Sequence, residues 1–509
     1  MERLDLASRE KKDISPLVLM ENAGQKSFIR LRSVFEPLVK RTVLVVAGEG
    51  NNGGDGSVLA RCLLQEGIQT FLYLAGKRPG KFEARTNFEI YRKMGGPIYD
   101  GETGSEAIGH LIAKSDIIID AIFGTGLSRP VSHSVGETIR AINNSEKPVV
   151  SLDIPSGVSA DNGRILGEAV RSAFTFTYGL PKLGHFLYPG SEYCGKLFVE
   201  DIGIPRELVE QADIRTELLE AETVRGLLPA RRKNAHKGNF GHLMILAGSR
   251  GKRGAGALSC KGALRSGAGL VTWALPEELD RPDPFIPEVM TFPLPQKKSG
   301  ALDSAGVTRL LAALENKDAF AIGPGLGTQP ETRKFLKSIL PKVKVPVILD
   351  ADALNLLAGE ERLFKSLKNP VLLTPHPGEM GRLCSVDATT IQGDRIRYAL
   401  NAAKGYGGLV LLKGANTLIV EPNESVWINP TGNPGMATAG TGDVLTGMIG
   451  ALVAQGHSLL NGALAGAFLH GLAGDLACED KGETGMIATD LIEKIPDAYR
   501  KITLGTGRA

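Results

Sequence analysis

The sequence predicts two α/β domains in tandem, the first a doubly wound parallel sheet. Three observations carry that expectation. Short β-branched runs alternate with helix-compatible segments along most of the chain. Its 63 glycines in 509 residues cluster just after those runs, as strand-to-helix turns do and low-complexity tracts do not. A charged stretch, 206–233, interrupts the alternation, reads as a linker with a short helix, and puts the boundary near 215. The expected domains are therefore 1–215 and 216–509.

Composition narrows the function classes. With 42% hydrophobic and 23% charged residues the chain is ordinary globular protein. A net charge of +3 makes no electrostatic case for nucleic acid. Cys62, Cys194, Cys260, Cys384 and Cys478 are scattered, with none at zinc spacing, which reads as reduced thiols in a cytoplasmic setting. Charged residues fill the first thirteen positions, so no signal peptide is expected there. The apolar region from Val444 to Ala477 is broken by His457, Asn461, His470 and Asp475. It reads as buried helices rather than a membrane span.

In the first half, Thr42 to Ala47 is a buried strand, followed by G-E-G-N-N-G-G-D-G-S and an apolar helix. Gly48, Gly50 and Gly53 formally satisfy the dinucleotide fingerprint. The next strand ends in Gly76, Lys77 and Arg78, without the acidic residue that would hold a ribose, so an ordinary dehydrogenase is not expected. The N-N-G-G-D-G turn offers oxygen ligands for a hard cation and donors for phosphate; an Asx-rich capped turn is the plainer alternative. Asp116 to Ala121 ends in Asp120 and F-G-T-G-L-S-R-P. Val149 to Asp153 opens D-I-P-S-G. Such strand ends gather at the carboxyl edge of a parallel sheet. There Asn52, Asp120 and Ser156 share one cation, and Asp153 faces the substrate as an acid or base.

The motifs G-N-N-G-G-D-G, D-A-I-F-G-T-G and D-I-P-S-G, with the entry L-M-E-N-A-G, resemble the NAD(P)H-hydrate epimerase domain over about residues 14–205. The resemblance implies a Rossmann-like fold and a potassium ion on Asn52, Asp120 and Ser156. It maps substrate binding onto Asn51, Asn52, Gly53, Gly54 and Asp55, onto Gly124, Thr125, Gly126, Leu127, Ser128, Arg129 and Pro130, and onto Asp153. Asp153 is the expected catalytic group.

The second half repeats the strand-and-turn pattern without repeating the first half's sequence. Gly241 to Ala247 leads into G-S-R-G-K-R-G-A-G-A, which is not a Walker A loop. Strands then end in G-P-G-L-G-T, L-D-A-D-A-L-N, T-P-H-P-G-E and L-K-G-A-N-T. The stretch from Asn429 to Gly447 follows, rich in small residues, and a helix is expected to start near Gly442. Its positive end suits a phosphate or a developing oxyanion. Asp443 sits at that start as a general base or, more plainly, a helix cap. Arg231, Arg232, Lys233 and Lys237 read as solvated surface unless Lys237 or His236 approaches a phosphate.

The order of these motifs resembles the ADP/ATP-dependent NAD(P)H-hydrate dehydratase family over about residues 225–500. That family implies a ribokinase-like fold. By motif, it maps ADP onto Lys413, Gly414, Ala415, Asn416 and Thr417, and onto Asn433, Pro434, Gly435, Met436, Ala437, Thr438, Ala439, Gly440, Thr441 and Gly442. Hydrate contacts map onto Gly325, His376 and Asp443, with Ala255 joining them. Magnesium accompanies the nucleotide, with Glu379 and Asp352 as candidate supports. The expected partners are NADHX or NADPHX and ADP or ATP, and the relatives lead one to expect a homo-oligomer. The residues alone leave two other readings open. One is a small-molecule alcohol kinase with a regulatory first domain, since the fold and base would be shared. The other makes the first half a non-catalytic binding module, against which Asp55, Asp120 and Asp153 speak.

Overall fold

A computed structural model describes residues 1–100, 105–281 and 286–504. The chain divides into two units, Met1–Ile214 and Arg215–Ala509.

In the first unit seven strands form one parallel sheet: β1 (Val43–Ala47), β2 (Thr70–Leu74), β3 (Ile98–Asp100), β4 (Ile117–Ala121), β5 (Val149–Leu152), β6 (Phe174–Tyr178) and β7 (Lys196–Glu200). Their order is β3-β2-β1-β4-β5-β6-β7. Alternation explains why β1 is apolar throughout. Val43, Val45 and Ala47 join the core on one face, with Leu59, Leu63 and Phe88. Leu44 and Val46 join the other, with Ile118 and Ile139. The strand order reverses between β1 and β4, so the turns that follow them diverge and open a crevice at the carboxyl edge.

The second unit carries ten strands: β8 (Thr216–Leu218), β9 (His242–Leu246), β10 (Leu270–Pro276), β11 (Met290–Leu294), β12 (Ala319–Ile322), β13 (Val347–Leu349), β14 (Val371–Leu373), β15 (Leu409–Leu412), β16 (Thr417–Val420) and β17 (Val426–Asn429). The order is β11-β10-β9-β12-β13-β14-β15-β16-β17-β8. Pairing is parallel from β11 to β15, antiparallel through β16 and β17, and parallel again to β8. The helix Thr441–Ala454 packs Val444, Met448 and Ile449 into the same core as Leu243 and Ile245.

One expectation changes. The charged stretch 206–233 is not a plain linker. The expected short helix is present at Ala221–Leu227, but the stretch also contributes strand β8, which pairs Glu217 with Trp427. Leu219 and Val224 are buried there. Apolar residues at wide spacing, diluted by charge, hide this edge strand from a periodicity reading.

Candidate functional sites

In the first unit, the helix Asn51–Gln65 starts right after β1, with Gly50 as its cap residue and no side chain capping it. Its free amino end therefore faces the crevice. Gly53 is required by packing: a Cβ there would lie 2.0 Å from the Gly48 carbonyl. A cavity of about 620 Å³ opens at this edge. Asn51, Asn52, Asp55, Gly124, Thr125, Gly126, Leu127, Ser128, Arg129 and Asp153 line it. Gly53, Gly54 and Pro130 are not among the lining residues.

Asp120, fully buried at the end of β4, is the hub behind the cavity. It accepts from Ser156 N at 2.8 Å, Ser156 Oγ at 2.6 Å and Ser151 Oγ at 2.7 Å. Burial raises its carboxyl, and the hydrogen bonds oppose that. Asn52 Nδ2 donates to the Phe123 carbonyl at 2.9 Å, and Phe123 N donates to Ser156 Oγ at 2.8 Å. Asn52, Asp120 and Ser156 thus share one neighbourhood. Among the described residues, the buried Asn52 Oδ1 has no hydrogen-bond partner.

Asp153 follows β5 at φ 65°, a left-handed conformation that aspartate tolerates better than most residues. Its Oδ1 takes an ion pair from Lys182, and its Oδ2 accepts from Thr125 N at 3.3 Å. Lys182 is held in turn by Thr177 Oγ1 at 2.7 Å and the Tyr178 carbonyl at 3.1 Å. Burial favours the neutral carboxyl of Asp153, but the Lys182 ammonium outweighs it and holds the group below the usual range. His185 Nδ1 accepts from Lys182 N, and its Nε2 donates to the Asp153 carbonyl at 2.9 Å. Burial and the neighbouring ammonium bring that imidazole down to about 4, so it is neutral. Asp55 is the contrast: burial, then Asp153 and Asp5, push it well above the usual range. Asp5 and Arg9, from the helix Glu2–Lys12, also line the cavity. The sequence reading missed Lys182, His185 and this helix. Asn22, the asparagine of the L-M-E-N-A-G entry, spends its amide on the Ile202 carbonyl at 2.7 Å, a structural tie.

In the second unit, the helix Thr441–Ala454 begins as expected. Gly440 is its cap residue, at φ 93°, with no side-chain cap. Asp443 is the third helical residue, so it is not the cap. Burial first, and the Asp350 charge next, raise its carboxyl to about 7. The amino end is pinned from behind. Thr441 Oγ1 donates to the Met436 and Thr438 carbonyls at 3.0 and 3.1 Å. The neutral His470, lowered to about 4 mainly by burial, donates from Nε2 to the Thr441 carbonyl at 2.9 Å. Asn433 caps the turn Pro434–Met436 and donates to Asp475 at 3.0 Å.

Lys413 ends β15. Its Nζ donates to Asp350 Oδ1 at 2.6 Å, and a Cβ on Gly442 would lie 3.4 Å from it. The ammonium therefore stands at the amino end of the Asp443 helix. The turn from Lys413 to Thr417 is held by the buried Arg395, which donates to the Leu412 and Lys413 carbonyls at 3.2 and 3.3 Å. Gly325 and Ala255 adjoin: a Cβ on Gly325 would meet the Ala255 Cβ at 3.0 Å. His376, half exposed, accepts from Gly378 N at 3.0 Å and donates its own N–H to Glu379 at 2.8 Å. Burial, helped by Lys413, lowers its imidazole. Glu379 and Asp352 are already engaged, the latter accepting from Gly327 N at 2.8 Å and pairing with Lys252 at 3.1 Å. His236 and Lys237 precede β9, at the edge opposite these strand ends, and His236 Nδ1 accepts from Gly238 N at 3.2 Å. Among the described residues, no cluster of three His, Cys, Asp or Glu side chains is built to hold a metal ion, and no helix is long and apolar enough to cross a membrane.

Comparison with known proteins identifies the family. A family model described as NAD(P)H-hydrate dehydratase matches residues 243–497, and one described as YjeF-related protein N-terminus matches residues 16–184. The bifunctional NAD(P)H-hydrate repair enzyme of Moorella thermoacetica is 42% identical over 507 residues, covering 99% of this chain and 96% of that relative. The Escherichia coli K12 enzyme of the same description is 35% identical over 492 residues, with 96% and 91% covered. A Bacillus subtilis ADP/ATP-dependent NAD(P)H-hydrate dehydratase, crystallised with ATP and Mg2+, superposes with a TM-score of 0.50 at 33% identity, over 56% of this chain and 98% of that one. The chain belongs to the family of bifunctional NAD(P)H-hydrate repair enzymes, with an epimerase unit followed by a ribokinase-like dehydratase unit.

Proposed function

We propose that the first unit interconverts the R and S hydrates of NADH and NADPH around Asp153, and that the second dehydrates the S form at Asp443 using ADP. The observation that carries the reading is Asp443 itself. It sits at an uncapped helix amino end beside the Lys413 ammonium, with its carboxyl raised to about 7, where it can accept a proton at neutral pH.

In the hydrate, water has added across a ring double bond, leaving a hydroxyl on the carbon beside the ring nitrogen. Protonating that hydroxyl lets the nitrogen lone pair expel water, and water returns to either face. The Asp153–Lys182 pair supplies and recovers that proton. The amino end of the helix Asn51–Gln65 and the turn Gly124–Pro130 grip the pyrophosphate end. Asn52, Asp120 and Ser156 fit a potassium ion, because they supply oxygen donors in one neighbourhood and, among the described residues, the buried Asn52 Oδ1 lacks a partner. Such an ion would add a fixed positive charge behind the cavity.

Hydroxide leaves poorly, so the second unit phosphorylates it first. Asp443 takes the hydroxyl proton as the oxygen attacks the β-phosphorus of ADP, and AMP leaves. The ring nitrogen then expels phosphate, and loss of a ring proton restores the reduced nicotinamide. The N–H groups from Gly440 to Asp443 steady the transferring phosphoryl. Lys413 to Thr417 and Asn433 to Gly442 form the nucleotide site, while Ala255, Gly325 and His376 meet the hydrate. Magnesium would travel with the nucleotide and screen its phosphates. The setting is cytoplasmic and the protein a homo-oligomer, which light scattering on the eluted peak tests.

The experiment is recovery of reduced-nicotinamide absorbance from mixed NADHX epimers, with magnesium and either ADP or ATP. Full recovery, with one phosphate released per turnover, is the expected result. Recovery of the S half alone would refute the epimerase assignment. No recovery with either nucleotide, but a stable phosphate ester on another alcohol, would replace the dehydratase reading with a kinase.

A further inference from the structure

Three strands of the second unit end on one side chain. Asp350 follows β13 and is 1% exposed. Its Oδ1 accepts from Lys413 Nζ, after β15, at 2.6 Å, and from Thr374 Oγ1, after β14, at 2.8 Å. Its Oδ2 accepts from Thr446 Oγ1 at 2.6 Å. Thr446 lies on the helix Thr441–Ala454, almost one turn after Asp443. One buried carboxylate therefore fixes both the ammonium at the helix end and the helix itself. Taking a carboxylate and an ammonium out of water is expensive, and well-packed apolar groups would often stabilise a fold as well. The arrangement thus suits positioning better than stability.

We infer that Asp350 is a positioning residue of phosphoryl transfer: it holds the Lys413 ammonium where it meets the transferring phosphoryl, and it locks the helix turn that carries Asp443. This rests on Asp443 being the base. The charged groups acting on Asp443 come from several elements: Asp350 and Lys413 from the strand ends, Asp352 from the helix Ala351–Leu357, and Glu379 from the helix Pro377–Cys384. The helix Arg253–Arg265 adds the uncharged Ser259, whose Oγ donates to the Asp443 carbonyl at 2.9 Å. After burial, Asp350 is the largest cause of the raised Asp443 carboxyl, and Lys413 is the main opposing one. Removing one charge or the other should therefore move the titration of Asp443 in opposite directions.

The test is Asp350→Asn in the full chain, with epimerisation by the first unit reporting that the protein is made intact. The amide keeps the shape and one acceptor oxygen, turns the other acceptor into a donor so that one threonine hydroxyl must accept from it, and removes the charge. The expected result is a fall in dehydration kcat of ~30-fold or more, with KM for ADP changed less than ~3-fold. The acid limb of kcat against pH should also move to lower pH, because Asp443 loses a repelling neighbour. A kcat within about 2-fold of the parent, or a lowered kcat with the limb unmoved, overturns the inference. If Asp350→Asn does not fold, Lys413→Met decides: it should move the same limb to higher pH, and an unmoved limb overturns the inference. Asp443→Asn keeps the two readings apart. Full dehydration in that variant would remove the base assignment beneath the inference. An inactive Asp443→Asn with an unmoved limb in Asp350→Asn removes the inference alone.

Discussion

Each unit places an aspartate just beyond a strand or at a helix start, beside a buried lysine, yet the two carboxyls behave oppositely. Lys182 bonds Asp153 directly and holds it ionised. Lys413 bonds Asp350 instead, so Asp443, raised first by burial, feels that carboxylate as well as the ammonium and rises to about 7. The difference lies in which carboxylate receives the lysine's hydrogen bond, not in composition. A directly paired carboxylate shares a proton with its lysine. One left beside an already occupied lysine is free to take a proton from the substrate.

The largest effect should come from Asp443→Asn. Losing a general base typically costs about 10²–10⁴-fold, so dehydration should fall by that order while epimerisation persists. Equal loss of both activities would break the division between units. Lys182→Met should nearly abolish epimerisation and destabilise the first unit by about 3–5 kcal/mol, because it leaves a buried carboxylate unpaired. Denaturant unfolding followed by near-ultraviolet circular dichroism measures it, and an unchanged midpoint would show the pair to be dispensable.

Acidity separates the two sites further. Dehydration should rise with pH through about 7, as Asp443 loses its proton and becomes a base. The stability signs are opposite. Asp443 binds its proton more tightly folded than unfolded, so its contribution is fullest below the ordinary carboxylate range and is lost as pH rises toward 7. Asp153, lowered by Lys182, stabilises above that range and loses its contribution as pH falls. Thermal unfolding against pH should therefore show Asp443→Asn gaining on the parent in alkali, and Asp153→Asn losing most there. The smallest effect is expected from Asp55→Asn. Its carboxyl is raised well above the usual range, so an amide of the same shape should change stability by less than about 1 kcal/mol near neutrality.

Much of this was legible in the sequence because parallel sheets advertise themselves. β1 is an uninterrupted apolar run and β4, β5 and β9 are apolar but for one residue each, and polar residues gather at or just after their ends. Asp153, Asp120 and Asp443 stood out for that reason. Their partners did not. Lys182 lies 29 residues beyond Asp153, and Lys413 lies 63 beyond Asp350, so only the closed sheet brings them together. His470 pins the start of the helix Thr441–Ala454 from inside an apolar helix, where a lone histidine carries no signal. β16 and β17 are short and antiparallel, and they fall between the two turns the sequence reading named, outside its strand-and-turn pattern.

The strand β8 bears on how the gene can be cut. The dehydratase family match begins at residue 243, which invites a fragment starting there. Such a fragment would strip β17 of its parallel neighbour and remove Leu219 and Val224 from the interior. The bared row of backbone amides and carbonyls on β17 would be a template for another chain to pair with, so the fragment should self-associate more than one starting at Arg215, which keeps β17 paired and leaves only the short β8 at the edge. The seam between the two catalytic halves is thus spoken for by the second half, and a split or shuffled gene has to respect it.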